Sequence, residues 1–202
     1  MKKVFATLVI AAMATTSYAQ MAIGLKVPFS MSTFSWEKSS SSEMWVGGAG
    51  AFEYTLLPVL GIELGAGYSM SLGGKDEYDG TTTAEYKNNI IPISVLLKFY
   101  LPVGEGSPIH PYFGGGPTIG ITMTTTSYKT NDEYEKIGST TAITLGAPTF
   151  TAGIGYDISE SIKIGGALNL QFGYDSYSPE VGDSQSGTTM NLGIALGFKY
   201  CL

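Results

Sequence analysis

Four lysines, Lys26, Lys98, Lys163 and Lys199, and two glutamates, Glu53 and Glu63, each interrupt a run of small and apolar residues. An ion in such surroundings needs a partner of opposite sign, because an unpaired charge removed from water is heavily penalised. The chemistry these residues predict is therefore ion pairing, with Glu53 and Glu63 meeting lysines across a shared interior and plugging it rather than lining a permeation path. Four lysines against two glutamates leave a surplus. Lys26 and Lys199, near the ends of the folded chain, are expected to carry it to water at the rims or to backbone carbonyls.

Catalytic, cofactor and metal chemistry find little footing. His110 is the only histidine, and no serine or carboxylate has a spacing that pairs with it, so it is expected to be a turn residue. Asp76, Glu77 and Asp79 are closely spaced hard-oxygen ligands without the spacing of a calcium loop, and they suit a solvated acidic loop. Cys201 is the only cysteine, so no intrachain disulfide can form, and it is expected to be a small packing residue. No phosphate-cradling loop or metal-ligand spacing occurs. A net charge of −6 with no arginine and no basic patch disfavours nucleic acid. The expectation is thus no enzyme, no cofactor and no metal.

The elements that must position the six ions alternate with a period of two, the strand period. In residues 161–174, Ile162, Ile164, Leu168, Leu170, Phe172 and Tyr174 fall on one face and Lys163, Ala167, Asn169 and Gln171 on the other. Residues 60–70 and 191–202 divide the same way. With less regular segments at 22–29, 44–54, 89–101, 111–123 and 143–156, and the last strand begun at 189, the count is eight, an even number. Lys26, Lys98, Lys163, Lys199, Glu53 and Glu63 all lie on the small, polar face. Pro92, Pro117 and Pro148 fall inside strands, and each is expected to mark a bulge or a misplaced boundary.

Connections alternate long and short. Residues 30–43, 71–88, 124–142 and 175–188 are long, polar and hold 12 of the 17 acidic residues with five lysines, whereas 55–59, 102–110 and 157–160 are short. Sorting by length onto the two ends of a sheet is the layout of an outer-membrane barrel, with short periplasmic turns and longer extracellular loops. Composition supports the membrane. Charged residues make up 14% of the chain, against about 25% in an ordinary soluble domain. The polar face, mostly Gly, Ala, Ser and Asn, suits a narrow barrel's crowded interior and leaves the large apolar face for lipid. Tyr68, Phe172 and Tyr174 near the long connections, and Tyr54, Phe99, Tyr156, Phe198 and Tyr200 near the short ones, give aromatic girdles at two heights.

Residues 1–19 read as a secretory signal peptide: Lys2 and Lys3, an apolar run from Val4 to Met13, then small residues ending Ser17-Tyr18-Ala19. That apolar run is shorter than the roughly 20 residues of a spanning helix. Residues 20–202 form the second unit, expected to be an all-β, eight-stranded antiparallel up-and-down transmembrane β-barrel with both termini in the periplasm.

The segments MWVGGAGAFEYTLLPVLGIELGAGYSM, IIPISVLLKFYLP and PYFGGGPTIG and the alternating C-terminal strand resemble the small Gram-negative outer-membrane β-barrel domain family, the OmpA-like, OmpX-like and porin-like eight-stranded kind. The resemblance implies outer-membrane lipid as surroundings, a monomer, and recognition of the last strand by the barrel-assembly machinery. Family members commonly end in phenylalanine, where this chain has Leu202 with Phe198 and Tyr200 on the same face. Related barrel hydrolases and acyltransferases place their active groups toward the outer leaflet, whereas His110 belongs to the periplasmic end. Architecture of this kind specifies fold more than function. Two roles follow: a non-enzymatic structural or surface-interaction protein whose long extracellular loops meet a ligand of unknown identity, or a narrow porin-like channel or lateral conduit for small solutes, hydrophobic ones included. If the signal is removed as its residues predict, mass spectrometry of the outer-membrane form finds Gln20 first; Met1 or Lys2 at that terminus overturns the assignment.

Overall fold

A computed structural model describes residues 20–36, 39–77, 82–104, 106–130, 133–177 and 185–202. The segment read as a signal peptide, together with Asp79, Asp132 and Asp183, lies outside the described residues, as do the side chains of Asp76, Glu77 and Tyr174. The strands are β1 (Gln20–Trp36), β2 (Ser39–Leu57), β3 (Leu60–Ser71), β4 (Gly74–Glu77), β5 (Thr82–Tyr100), β6 (Ile109–Thr130), β7 (Glu133–Asp157), β8 (Ile162–Tyr177) and β9 (Gln185–Cys201). Among the described residues no helix is long and apolar enough to cross a membrane.

Each strand pairs antiparallel with its sequence neighbour, and β9 returns to pair with β1 from Ala22↔Cys201 to Trp36↔Gly187, so the sheet closes on itself. Nine segments make eight staves, because β3 and β4 are one stave: both pair with β5, and they part at Leu72–Gly73. Gly73 has φ +94, a left-handed conformation that glycine adopts without a Cβ penalty. The amide of Leu72 still donates to the carbonyl of Met44 at 2.8 Å, which ties the break to β2.

The strands run well past the boundaries that alternation suggests. β6 has 22 residues and β7 has 25, whereas about 9–11 residues suffice to cross a bilayer. Most of the four connections expected to be long loops is instead ladder: β1 pairs with β2 out to Trp36↔Ser39, β6 with β7 out to Thr130↔Glu133, and β8 with β9 out to Tyr177↔Gln185. Thr has good strand propensity, and the loss of hydrophobic alternation in these Ser- and Thr-rich stretches hides the continuation. At the other end the β2–β3 and β7–β8 hairpins are tight, and Leu101, Val103, Gly104 and Ser107, between β5 and β6, line the lower cavity of the lumen.

The prolines divide. Pro117 and Pro148 share one irregularity, where the register between β6 and β7 slips from Gly116↔Thr149 to Thr118↔Gly146. Pro92 marks no bulge and no boundary. The β3–β5 ladder skips Ile91 and Pro92 between Ala66↔Ile93 and Ser69↔Ile90 without changing register, while Pro92 stays paired with Gly120 on β6.

Packing is inverted relative to a soluble domain. Leu25 and Leu196 are exposed to 69% and 60%, and Phe29, Leu64, Phe113, Phe150, Leu168 and Ile194 are likewise outside. The two largest fully buried side chains are Lys98 and Glu63. Side chains of the size of Leu or Phe each favour transfer out of water by about 1.5–3 kcal/mol, which a lipid surround supplies. Tyr68 and Phe172 stand outside near one end, and Phe99, Tyr156, Phe198 and Tyr200 near the other, with Phe99 stacked on Phe113 at 5.4 Å. In a Cys201→Ser background, cysteines placed at Asp79 and Asp132 should be labelled by an impermeant reagent on intact cells, and one at Ser159, in the hairpin between β7 and β8, should not. The opposite pattern overturns the orientation.

Candidate functional site

The inward parity of β2 and β3 places Glu53 directly opposite Glu63. Like charges at paired positions repel, so this register is stable only with cations between them. Lys98, two residues along β5 from Glu63's ladder partner Leu96, supplies one. Its Nζ contacts Glu53 Oε2 at 2.8 Å and also bonds Glu63 Oε2. Lys26 of β1 bonds Glu63 Oε1, Lys199 of β9 bonds Glu53 Oε2, and the hydroxyl of Tyr100 donates to Glu53 Oε1. All four carboxylate oxygens accept. Lys199 Nζ stands 3.9 Å from Glu63 as well.

Three lysines against two glutamates leave one positive charge in excess, and Tyr112 of β6 meets it: Lys98 Nζ lies 4.5 Å and Lys199 Nζ 5.9 Å from the centre of its ring. An aromatic face attracts a desolvated ammonium by up to about 2 kcal/mol. Two glycines make the room. A Cβ at Gly153 would stand 2.6 Å from Tyr112 Cζ, and one at Gly24 would stand 3.0 Å from Lys199 Cγ.

The network divides the lumen. An upper cavity of about 510 Å³ has Glu63 in its lining, a lower one of about 500 Å³ has Glu53 and Lys199, and Lys26 borders both. Lys98 is fully buried between them.

Of the six ions singled out in the sequence, Glu53, Glu63, Lys26, Lys98 and Lys199 meet here, and Lys163 does not. Lys163 lies at the lower mouth, 3.2 Å from Asp157 Oδ1. Lys26 and Lys199, expected to carry surplus charge to the rims, sit against the glutamates with side chains 24% and 21% exposed. His110 also departs from expectation. It is the second residue of β6 rather than a turn residue, and its Nε2 lies 2.7 Å from Asp157 Oδ2, a carboxylate that closes β7. Sequence reasoning misses Tyr100, Tyr112 and Asp157. The first two share inward parity with Lys98 and with each other as the pair Tyr100↔Tyr112, a signal that reading aromatics as girdle residues masks. Asp157 falls one residue beyond the strand end that alternation predicts and so reads as a turn. Among the described residues no group of His, Cys, Asp and Glu has the geometry of a metal site.

A family model described as the outer membrane protein beta-barrel domain matches residues 4–198. No curated protein matches the chain. Two solved structures share the architecture: the outer membrane protein OprG from Pseudomonas aeruginosa, 14% identical over 91% of this chain and 95% of that one with a TM-score of 0.53, and a major outer membrane protein from Thermus thermophilus, 17% identical over 88% and 99% with a TM-score of 0.51. At these identities the likeness concerns fold.

The network predicts its own weak point. Glu63→Gln removes one of two anions facing three lysines, and breaking a buried pair in this way costs about 3–5 kcal/mol. The folded form should convert to the slower-migrating unfolded form at a lower temperature on a gel. Unchanged heat-modifiability would show that the network contributes little.

Proposed function

Because the chain belongs to the outer membrane protein β-barrel domain family, its barrel sits in the outer membrane, and we propose that it is a non-enzymatic structural or surface-interaction protein that acts through its outer end. One observation carries this reading: the Lys26–Glu63–Lys98–Glu53–Lys199 network lies across the lumen between two separate cavities, so an axial path for ions would have to break it. Eight staves leave an interior that side chains can fill. The hairpins rising from β1–β2, β6–β7 and β8–β9 offer polar surface for contact outside the cell. Removal of residues 1–19, insertion through the last strand by the assembly machinery, and a monomeric state belong to the same proposal.

A second reading, sideways passage of small apolar solutes, draws on the wall itself. The ladder between β7 and β8 runs from Asp157↔Lys163 only to Thr149↔Gln171. Above it β7 continues to Glu133 paired with β6, and β8 continues to Tyr177 paired with β9, with no ladder joining the two among the described residues.

Purified protein in a planar bilayer separates the readings from a channel. The first reading expects no steady current from the wild type. A steady, ion-selective current whose selectivity changes in Glu63→Gln without loss of stability would reject it and establish an axial pore.

A further inference from the structure

The two cavities differ in kind. The lower one is bordered by Lys26, Lys163, Lys199, Glu53 and His110. Among the described residues that line the upper one, the charged ones are Lys26 and Glu63 at its floor, which bond each other. Across a wall otherwise made largely of small and apolar residues runs a belt of uncharged polar groups, set by register: Gln171, Asn191 and Ser32 are successive ladder partners across β8, β9 and β1. One step inward, Asn169, Gly193, Ser30 and Trp45 are successive partners across β8, β9, β1 and β2. All of these residues line the cavity.

Among the described residues, the carboxamides of Asn169, Gln171 and Asn191 have no side-chain partner. Each offers two donors and an acceptor. Three such groups, fixed on adjacent paired strands and turned into one cavity, present a dense field that both gives and takes hydrogen bonds. Gly193 lets Ser30 pack close, since a Cβ there would stand 2.8 Å from that of Ser30, and Trp45 closes the row with an aromatic surface.

We propose that the upper cavity is a binding site for an uncharged, polyhydroxylated small molecule of the mono- or disaccharide class. Charge excludes itself. Lys26 and Glu63 satisfy each other, so an ionic ligand would lose its hydration against a wall that offers no counter-ion. A purely apolar ligand would strand the carboxamides, and leaving buried polar groups unpaired is itself unfavourable. A sugar matches the wall, with hydroxyls that donate and accept against the carboxamides and a C–H face for the indole. The volume of about 510 Å³ falls within the roughly 300–1,000 Å³ of small-ligand pockets.

The chain has two tryptophans, so Trp36→Phe leaves Trp45 as the sole indole reporter. In detergent-solubilised, heat-modifiable barrel, maltose or D-glucose should change Trp45 emission saturably. Gluconate and 1-hexanol should neither reproduce the change nor compete with it. Gln171→Ala combined with Asn191→Ala should weaken the response by at least about tenfold, while gel migration before and after heating confirms the folded barrel. Equilibrium dialysis of radiolabelled maltose provides the same comparison without fluorescence. The proposal is overturned by a folded barrel that shows no saturable binding of either sugar, by sugar binding that the paired substitution leaves unchanged, or by 1-hexanol taking the site in place of sugar.

Discussion

In hydrocarbon there is no water to accept or donate a hydrogen bond, so every backbone N–H and C=O that crosses the membrane must be paired within the protein. For this chain that requirement selects closure: β9 meets β1 along fifteen successive partners, from Ala22↔Cys201 to Trp36↔Gly187. Three of the places where the ladder lapses fit the same rule. β1 and β2 skip Val27 and Pro28, β3 and β5 skip Ile91 and Pro92, and the slip between β6 and β7 contains Pro117 and Pro148. Proline has no N–H, so a lapse that includes one strands fewer donors than a lapse anywhere else.

Closure with an apolar exterior forces the interior to carry whatever polarity the strands contain. The narrow lumen then becomes the place where charges must meet, and their geometry follows from register. Once Glu53 faces Glu63, a cation has to stand between them, and the inward parity of β5 delivers Lys98 there. Through Lys26, Glu53, Glu63, Lys98 with Tyr100, Tyr112 and Lys199, one polar network joins the β1, β2, β3, β5, β6 and β9 staves. In a soluble protein a buried ionic cluster is weak evidence for stability, since apolar replacements often do as well. Here the strands' outer faces already take the apolar residues, and the lumen's ionic brace links staves that share no ladder.

Period-two alternation makes the barrel legible, because lipid on one side and a crowded lumen on the other make opposite demands at successive residues. It also places the five ions that meet, since parity alone puts Lys26, Glu53, Glu63, Lys98 and Lys199 inside. Parity carries no information about height along the barrel. Lys163 shares the face and misses the network because β8 sets it lower, beside Asp157. Outside the membrane one demand disappears, so alternation fades while the ladder continues; that is why Ser40 and Thr130 read as loop and pair as strand. Tyr100 and Tyr112 show a different limit. An aromatic on an inward position conflicts with the expectation that aromatics face the interface, and only the pairing with Lys98 and Glu53 resolves which way they turn.

The brace also explains where the wall is least constrained. Among the described residues β8 is the stave that the central network does not touch, and β7 meets that network only through Thr151, which bonds the side chain of Tyr112. What links β7 and β8 is the ladder from Asp157↔Lys163 to Thr149↔Gln171 and, at the lower mouth, Asp157 holding both Lys163 of β8 and His110 of β6. Above Thr149 the β7–β8 ladder does not continue among the described residues: β7 pairs with β6, β8 pairs with β9, and Pro148, which has no N–H, stands at the point of divergence. Among the described residues the upper β7–β8 seam has no ladder, whereas its base has both ladder and ion pairs. At the charged middle, by contrast, six staves are tied through the lumen as well as along the wall.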